Sequence, residues 1–462
     1  MNIDELKAVK DENGKIYEIE KLLGEGGQGV VFEAKGGKQA IKLIRGKSPI
    51  YREQLRTKLQ EVRRLPIEDL PIAKPLQMLS KPRVGYLMEL YTGMQPLSKL
   101  IFPGKKINPL LFYIQTGGLK RRLEILAKVA GTLLKMHSRS LIYGDPSPNN
   151  IFISEDPNFS EIRLIDSDNI QYKTSIDLST VYTPRYGAPE IVMGKSPANT
   201  LTDIYAFSVI VFETLTYIHP LLGDDILDSE PELEDKAFKG GYPWVEHSSI
   251  KTNTTRRGLE RENVLSPGLL NLCRKTFEEG LLNPAKRPGM SKWVDNLYSA
   301  LDNTLTCSSC NGSFYRNKKE CPWCSDANDK HYCPDHILCK IGRWEPDSPS
   351  KKLNFIPNGG KPSGTITLQN KTPVLITKRN TIIDRSKDMH DSVVEVLFDK
   401  VNKSLKIKAS EGHKVWTSDS EGGNFNTVRN KWVQINLYDI LHFGPQNRSH
   451  RFAYFQNPKK IK

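Results

Sequence analysis

The chain has 462 residues, 38% of them hydrophobic and 26% charged, which is enough for two or three domains with sizeable cores. The net charge of +14 is uneven: residues 1–300 hold 41 Lys and Arg against 37 Asp and Glu, so most of the excess lies in the last 162 residues. No basic segment leading into an apolar one opens the chain, and no run reaches the ~18 apolar residues of a membrane span, so a cytoplasmic protein without membrane contact is expected. Six of the seven cysteines fall between Cys307 and Cys339, which favours metal over disulfides in a reducing compartment.

In chain order, Tyr17 to Leu23, Val30 to Ala34 and Gln39 to Ile44 read as three strands. Gly24-Glu25-Gly26-Gly27-Gln28-Gly29-Val30-Val31 joins the first two, and its glycines let backbone N–H groups approach phosphate oxygens with no Cβ in the way. The loop runs strand to strand, which argues against a dinucleotide-binding fold, where the same spacing would open a helix. Ala40-Ile41-Lys42 lies on the third strand, and Lys42 reads either as a solvated strand lysine or as a phosphate-binding cation. Tyr51 to Leu65 is helix-periodic, with Leu55, Leu59 and Val62 on one face. Tyr86-Leu87-Met88-Glu89-Leu90-Tyr91 follows as a strand and its exit, and Arg121 to His137 is an amphipathic helix. His137 at its end reads as structural.

Tyr143-Gly144-Asp145-Pro146-Ser147-Pro148-Asn149-Asn150 then leads into the apolar Ile151-Phe152-Ile153, with Ile165-Asp166-Ser167-Asp168 beyond. An Asp and an Asn five residues apart, followed by a strand and a second Asp, suit the holding of a hydroxyl beside a metal-bound phosphate. Their hard oxygen donors suit Mg²⁺. Downstream stand Thr183-Pro184-Arg185-Tyr186-Gly187-Ala188-Pro189-Glu190, Thr202-Asp203-Ile204-Tyr205-Ala206-Phe207-Ser208 and Asn283-Pro284-Ala285-Lys286-Arg287-Pro288.

Together these motifs resemble, in order and spacing, the protein kinase family over about residues 15–300, closest to bacterial eukaryotic-like Ser/Thr kinases. The resemblance implies a bilobal fold, with an N-lobe over about 1–91 and a C-lobe over about 92–303. It implies that Asp145 accepts the substrate hydroxyl's proton, that Asn150 and Asp166 hold Mg²⁺, and that Lys42 meets the ATP phosphates. Gly24, Gly26, Gly29, Val31, Ala40, Met88, Glu89 and Tyr91 would line the nucleotide site, with Met88 either at the gatekeeper position or plain strand core. Glu61 would pair with Lys42, and Glu53 is the other candidate on that helix. Asp203 would cap the catalytic loop's backbone, an ordinary helix N-cap being the plain alternative. Glu190 and Arg287 would form a buried ion pair. Thr183, three residues before Tyr186, implies Ser/Thr rather than Tyr specificity.

The chain departs from the pattern in three places. Tyr143-Gly144 stands where His-Arg is usual, so no cation waits for an activation-loop phosphate and activity independent of loop phosphorylation is expected. Ser147 replaces a phosphate-binding Lys, and Ser167-Asp168 replaces Phe-Gly.

Past residue 303 the chemistry changes. Cys307-x-x-Cys310 and Cys321-x-x-Cys324 have zinc-ribbon spacing, a closed four-thiolate set suited to structural Zn²⁺, and the ribbon is expected over 304–342. His331, Cys333, His336 and Cys339 read equally as a second site or as ordinary side chains, and Cys273 reads as core. Residues 343–352 read as a linker, and eight short alternating segments from Thr365 to Phe455 predict an all-β sandwich over 353–462. Its ending, Leu437 to Gly444 after Gly422-Gly423-Asn424-Phe425, resembles a forkhead-associated domain. Thr377-Lys378-Arg379 and Ser386 to His390 are only approximate phosphate contacts, so a phosphothreonine partner competes with plain protein docking.

The expected fold is thus multidomain α+β, and the expected function an ATP- and Mg²⁺-dependent Ser/Thr protein kinase acting on a protein substrate. A nucleotide-binding pseudokinase scaffold is the alternative, favoured by Ser147 and by the Asp-Ser-Asp sequence. Nucleic-acid binding through the basic C-terminal part is disfavoured, because zinc ribbons more often brace domains and the aromatics fit strand packing.

Overall fold

The structure, a computed structural model, describes residues 6–26, 29–45, 48–104, 106–175, 181–324, 334–344, 364–382, 391–419 and 423–458. The chain divides into two compact units, Met1–Gly117 with Arg121–Leu297, and Gly118–Lys120 with Tyr298–Lys462.

The first unit opens with an antiparallel sheet built from β1 (Ala8–Lys10), β2 (Ile16–Glu25), β3 (Gly29–Ala34), β4 (Gln39–Ile44), β5 (Gln77–Met78) and β6 (Gly85–Glu89), in the order β1-β2-β3-β4-β6-β5. The three predicted N-terminal strands are β2 to β4, and the register sets Lys42 opposite Tyr86 and Ala40 opposite Met88. Helix α1 (Pro49–Arg63) starts where Ser48 accepts the Tyr51 N–H at 3.2 Å and Pro49 presets the first turn. It buries Arg56, Leu59 and Val62.

Residues 93–115 contribute the strand β7 (Met94–Pro96) and short helices at Ser98–Ile101 and Pro109–Gln115. Helix α2 (Gly118–Ser138) leads to β8 (Leu141–Ile142) and the catalytic-loop motif, followed by β9 (Ile151–Ser154), β10 (Ile162–Leu164) and β11 (Gln171–Tyr172). β7, β9 and β10 form one small sheet, and β8 pairs with β11. Helix α3 (Thr200–Thr216) is apolar on every side and buried from Thr202 to Thr216, as expected of a central core helix. Its N-cap is Asn199, in a capping box with Thr202, so Asp203 is not the cap and its carboxylate is free for another task. Cys273 lies buried in a helix, as core.

The second unit takes in the end of α4 (Met290–Asp302) and then the hairpin β12 (Thr304–Thr306) and β13 (Ser313–Tyr315). All eight predicted C-terminal strands form, as β15 (Gly364–Gln369), β16 (Val374–Thr377), β17 (Ser392–Asp399), β18 (Ser404–Ala409), β19 (Val415–Ser418), β21 (Val433–Ile435), β22 (Ile440–His442) and β23 (His450–Gln456). Two more join them, β14 (His336–Trp344) and β20 (Asn426–Val428). The sheets run β15-β14-β23-β22-β19-β20 and β16-β17-β18-β21, and they enclose one core that includes Ile341, Val394, Ile407 and Phe455.

β14 corrects the expected boundaries. Residues 336–344 pair with β15 and β23, so they belong to the sandwich rather than to a ribbon ending at 342 or a linker starting at 343. Cys339 is a fully buried core residue there and His336 bonds the Pro334 carbonyl, while His331, Cys333 and Ser386 to His390 lie outside the described residues.

Candidate active site

The catalytic-loop motif hangs on α3. Asp203, with no exposed surface, accepts the Tyr143 and Gly144 N–H groups, each at 2.9 Å, and faces His137 Nε2 at 3.0 Å. This carboxylate gives two loop N–H groups acceptors that the loop's own turn does not supply, and His137 has the structural part expected of it. Tyr143 takes a similar bracing position: its hydroxyl bonds the Ile165 carbonyl and lies 3.2 Å from that of Asn150, tying the loop to the residue before Asp166. Gly144 has φ +90°, and a Cβ there would stand 2.9 Å from the Asn169 carbonyl, so the turn after Asp166 packs where any larger residue would collide.

Asp145 is buried. It accepts the Thr183 N–H at 2.7 Å and the Thr183 hydroxyl at 3.0 Å, and Asn150 donates to its carbonyl at 3.0 Å and to Oδ2 at 3.3 Å. Burial pushes its carboxyl above the ordinary value, opposed by the Thr183 bonds, an environment suited to a proton-accepting group. Tyr186 donates to Glu213 at 2.6 Å from below. Burial drives Glu213 up to about 7.

Asp166 ends the strand approach in left-handed backbone geometry, φ +61°, uncommon for a residue with a side chain. It binds Lys42 Nζ, and Asp168 Oδ2 meets the same nitrogen at 2.5 Å. Lys42 is buried; desolvation works against its charge, but Asp168 and Asp166 outweigh it and hold the ammonium above its ordinary range. The structure therefore brings Lys42, Asp145, Asn150 and Asp166 into one neighbourhood. The oxygens of Asn150 and Asp166 fit a hard cation such as Mg²⁺.

Glu61 does not join them, and this corrects the expected pairing. It is exposed, and Glu53 is exposed beside Lys81. The helix residue nearest in character to a site group is the half-buried Lys58, whose ammonium is pushed down by desolvation against the pull of Asp168 and Asp166. Of the remaining nucleotide-site candidates, Ala40 is buried, Val31 and Met88 are half-buried and Glu89 is exposed. The ring of Tyr91 lies 5.2 Å from the Arg163 guanidinium. Gly29 is forced by packing, since a Cβ would sit 2.1 Å from the Leu43 carbonyl, whereas Gly24 and Gly26 face open space.

Sequence reasoning missed Asp168 and Tyr86 as site residues, although the Asp-x-Asp spacing was a visible signal. Glu190 and Arg287 form the expected ion pair, and it is bidentate, at 2.6 and 2.8 Å.

In the second unit the Sγ atoms of Cys307, Cys310, Cys321 and Cys324 all lie within 4.8 Å of one another, with 3.6 Å between 307 and 324 and 3.7 Å between 310 and 321. Four thiolates at about 2.3 Å from a tetrahedral ion stand roughly 3.8 Å apart, so the donor set fits Zn²⁺. Among the described residues this is the one cluster of three or more such donors. In the sandwich, Lys378 is paired with Asp391 at 2.6 Å, and Arg379 grips Asp302 at 2.7 and 2.8 Å over the Tyr298 ring.

Residues 17–299 match the family described as the protein kinase domain. The chain is 26% identical over 232 residues to the serine/threonine-protein kinase PknD of Chlamydia pneumoniae, covering 44% of this chain and 24% of the relative. It is 27% identical over 252 residues to the serine/threonine-protein kinase dkf-2 of Caenorhabditis briggsae, covering 52% and 20%. A probable serine/threonine-protein kinase of Clostridium perfringens is 24% identical over 238 residues, covering 49% and 32%. The chain thus spans a third or less of the length of these relatives. No helix among the described residues is long and apolar enough to cross a membrane.

Proposed function

Because the chain belongs to the protein kinase domain family, we propose that it is an ATP- and Mg²⁺-dependent serine/threonine kinase that transfers the γ-phosphate to a protein hydroxyl. The observation that carries the reading is the convergence of Lys42, Asp145, Asn150 and Asp166 on a loop braced by Asp203. Asp145 would take the substrate hydroxyl's proton, while Asn150 and Asp166 would hold the magnesium that supplies charge neutralisation at the phosphates. Lys42 would bind phosphate oxygens. The names of the three relatives support the Ser/Thr class, and so does the Thr183 hydroxyl on Asp145.

Activity without loop phosphorylation is part of the proposal. Gly144 replaces the cation that would receive a phosphate, and Asp145 and Thr183 are already joined without one. The four cysteines would hold one structural Zn²⁺. Phosphothreonine reading by the sandwich is the weaker part, because Asp302 already fills the guanidinium of Arg379 and a phosphopeptide would have to displace it. A cytoplasmic location is part of the proposal, supported by cysteines clustered as metal ligands suited to a reducing compartment.

The pseudokinase scaffold remains the second reading, favoured by Lys42 being clasped by two carboxylates, both from the Asp-Ser-Asp turn. Incubation of the purified chain with Mg²⁺ and γ-labelled ATP, with phosphosites mapped by mass spectrometry, separates the two. Label on Ser or Thr supports the kinase; bound nucleotide without label supports the scaffold.

A further inference from the structure

Asp168 is held from two strands at once. Its Oδ2 lies 2.5 Å from Lys42 Nζ, and its Oδ1 accepts the Tyr86 hydroxyl, also at 2.5 Å. Lys42 on β4 and Tyr86 on β6 are direct cross-strand partners, so their side chains rise from the same face and their polar tips reach the two oxygens of one carboxylate. All three groups are buried.

The turn carrying Asp168 is itself fixed. Residues 167–169 form one turn of 3₁₀ helix closed by the Ile170 N–H on the Ser167 carbonyl at 3.0 Å, and the bare Gly144 lets Asn169 settle against the catalytic loop. Helix α1, which would ordinarily be asked for this acid, offers a partly buried Lys58 and an exposed Glu61.

Within the kinase reading, on which this rests, we propose that Asp168 is the positioning residue for Lys42: the turn after Asp166, rather than helix α1, carries the acid that aims the phosphate-binding ammonium, and Tyr86 fixes that acid's orientation. The arrangement divides two tasks between neighbouring carboxylates. Asp166, which also binds Lys42 here, can turn to a metal ion while Asp168 keeps Lys42 in place, and the acid that aims Lys42 does not come from helix α1.

The test is a double-mutant cycle on the full chain, read by binding of a fluorescent ATP analogue with Mg²⁺ and by kcat and KM for ATP. Asp168→Asn keeps the shape and an acceptor for Tyr86 but removes the charge. It is expected to lower analogue affinity and kcat/KM for ATP between about ten- and a hundred-fold, the range for a hydrogen bond to a charged group. Tyr86→Phe is expected to show a smaller loss in the same direction. The deciding arm is Lys42→Met: if Asp168 acts through Lys42, Asp168→Asn adds nothing further in that background.

A full additional loss there would show an independent structural role and overturn the proposal. So would unchanged affinity and turnover in Asp168→Asn, or an equal loss in Glu61→Gln. Wild-type protein that neither binds the analogue nor transfers phosphate refutes the kinase reading itself, a different result from an active wild type indifferent to Asp168→Asn.

Discussion

Replacing Glu190 by Gln probes the anchor beneath the activation segment. The Arg287 side chain has no exposed surface and Glu190 is 12% exposed, so water cannot compensate the guanidinium when its partner is lost. Arg287 also donates to the carbonyls of Gly280 at 2.9 Å and Leu201 at 3.1 Å, which pins the guanidinium and stops it from turning away to solvent. Stranding one charge of such a pair costs about 3–5 kcal/mol. For a unit of this size that is a fall of roughly 5–8 °C in its melting transition. Arg287→Met should cost more than Glu190→Gln, since it also strips those carbonyls of their donor, and the double variant should cost less than the sum of the singles. Calorimetry on the full chain, following the kinase unit's transition, checks this. A loss below about 1 kcal/mol in Glu190→Gln would refute the reasoning, because it would mean the pair is solvated in solution.

Other outcomes follow from the same geometry. The protein should contain one Zn²⁺ per chain, and a strong chelator or Cys321→Ser should release it and lower the melting temperature of the second unit; metal analysis reads the stoichiometry. Glu213, raised to about 7 from an ordinary 4.5, should favour folding while protonated and lose that contribution as pH rises towards 7. Relative to Glu213→Gln, which stays neutral, wild type should therefore weaken by up to about 3 kcal/mol between pH 4.5 and 7.5; denaturant titrations at both values check it, and a constant difference contradicts it. Asp203→Asn should lower turnover much more than nucleotide affinity, since it turns a donor towards one of two loop N–H groups while leaving the phosphate-facing strands alone.

Much of this was legible because strand alternation and loop chemistry are local. The glycine loop, β2 to β4, α2 and every predicted sandwich strand follow from period and turn residues, and the catalytic motif declares its oxygens at fixed spacing. The error at Glu61 has a physical origin. Leu55, Leu59 and Val62 define a buried face, but Lys58 lies on the same stripe, three residues after Leu55 and four before Val62, and periodicity does not say which charged neighbour turns towards the sheet. The misplaced ribbon end arose because Cys339, read as a candidate ligand, is an inward core residue of β14, and a cysteine's metal and packing roles look alike in sequence. Asp168 needed the strand register: only the pairing of Lys42 with Tyr86 shows that one carboxylate can serve both.

The central claim is that the groups at 42, 145, 150 and 166 transfer phosphate rather than merely hold nucleotide. Its most direct test compares wild type with Asp145→Asn at matched, saturating Mg²⁺·ATP, measuring the label incorporated per mole of protein. The account predicts incorporation on Ser or Thr by wild type, and a fall of about a hundred-fold or more in the variant with nucleotide affinity retained. Equal incorporation by the two proteins, or none by a nucleotide-saturated wild type, would contradict it.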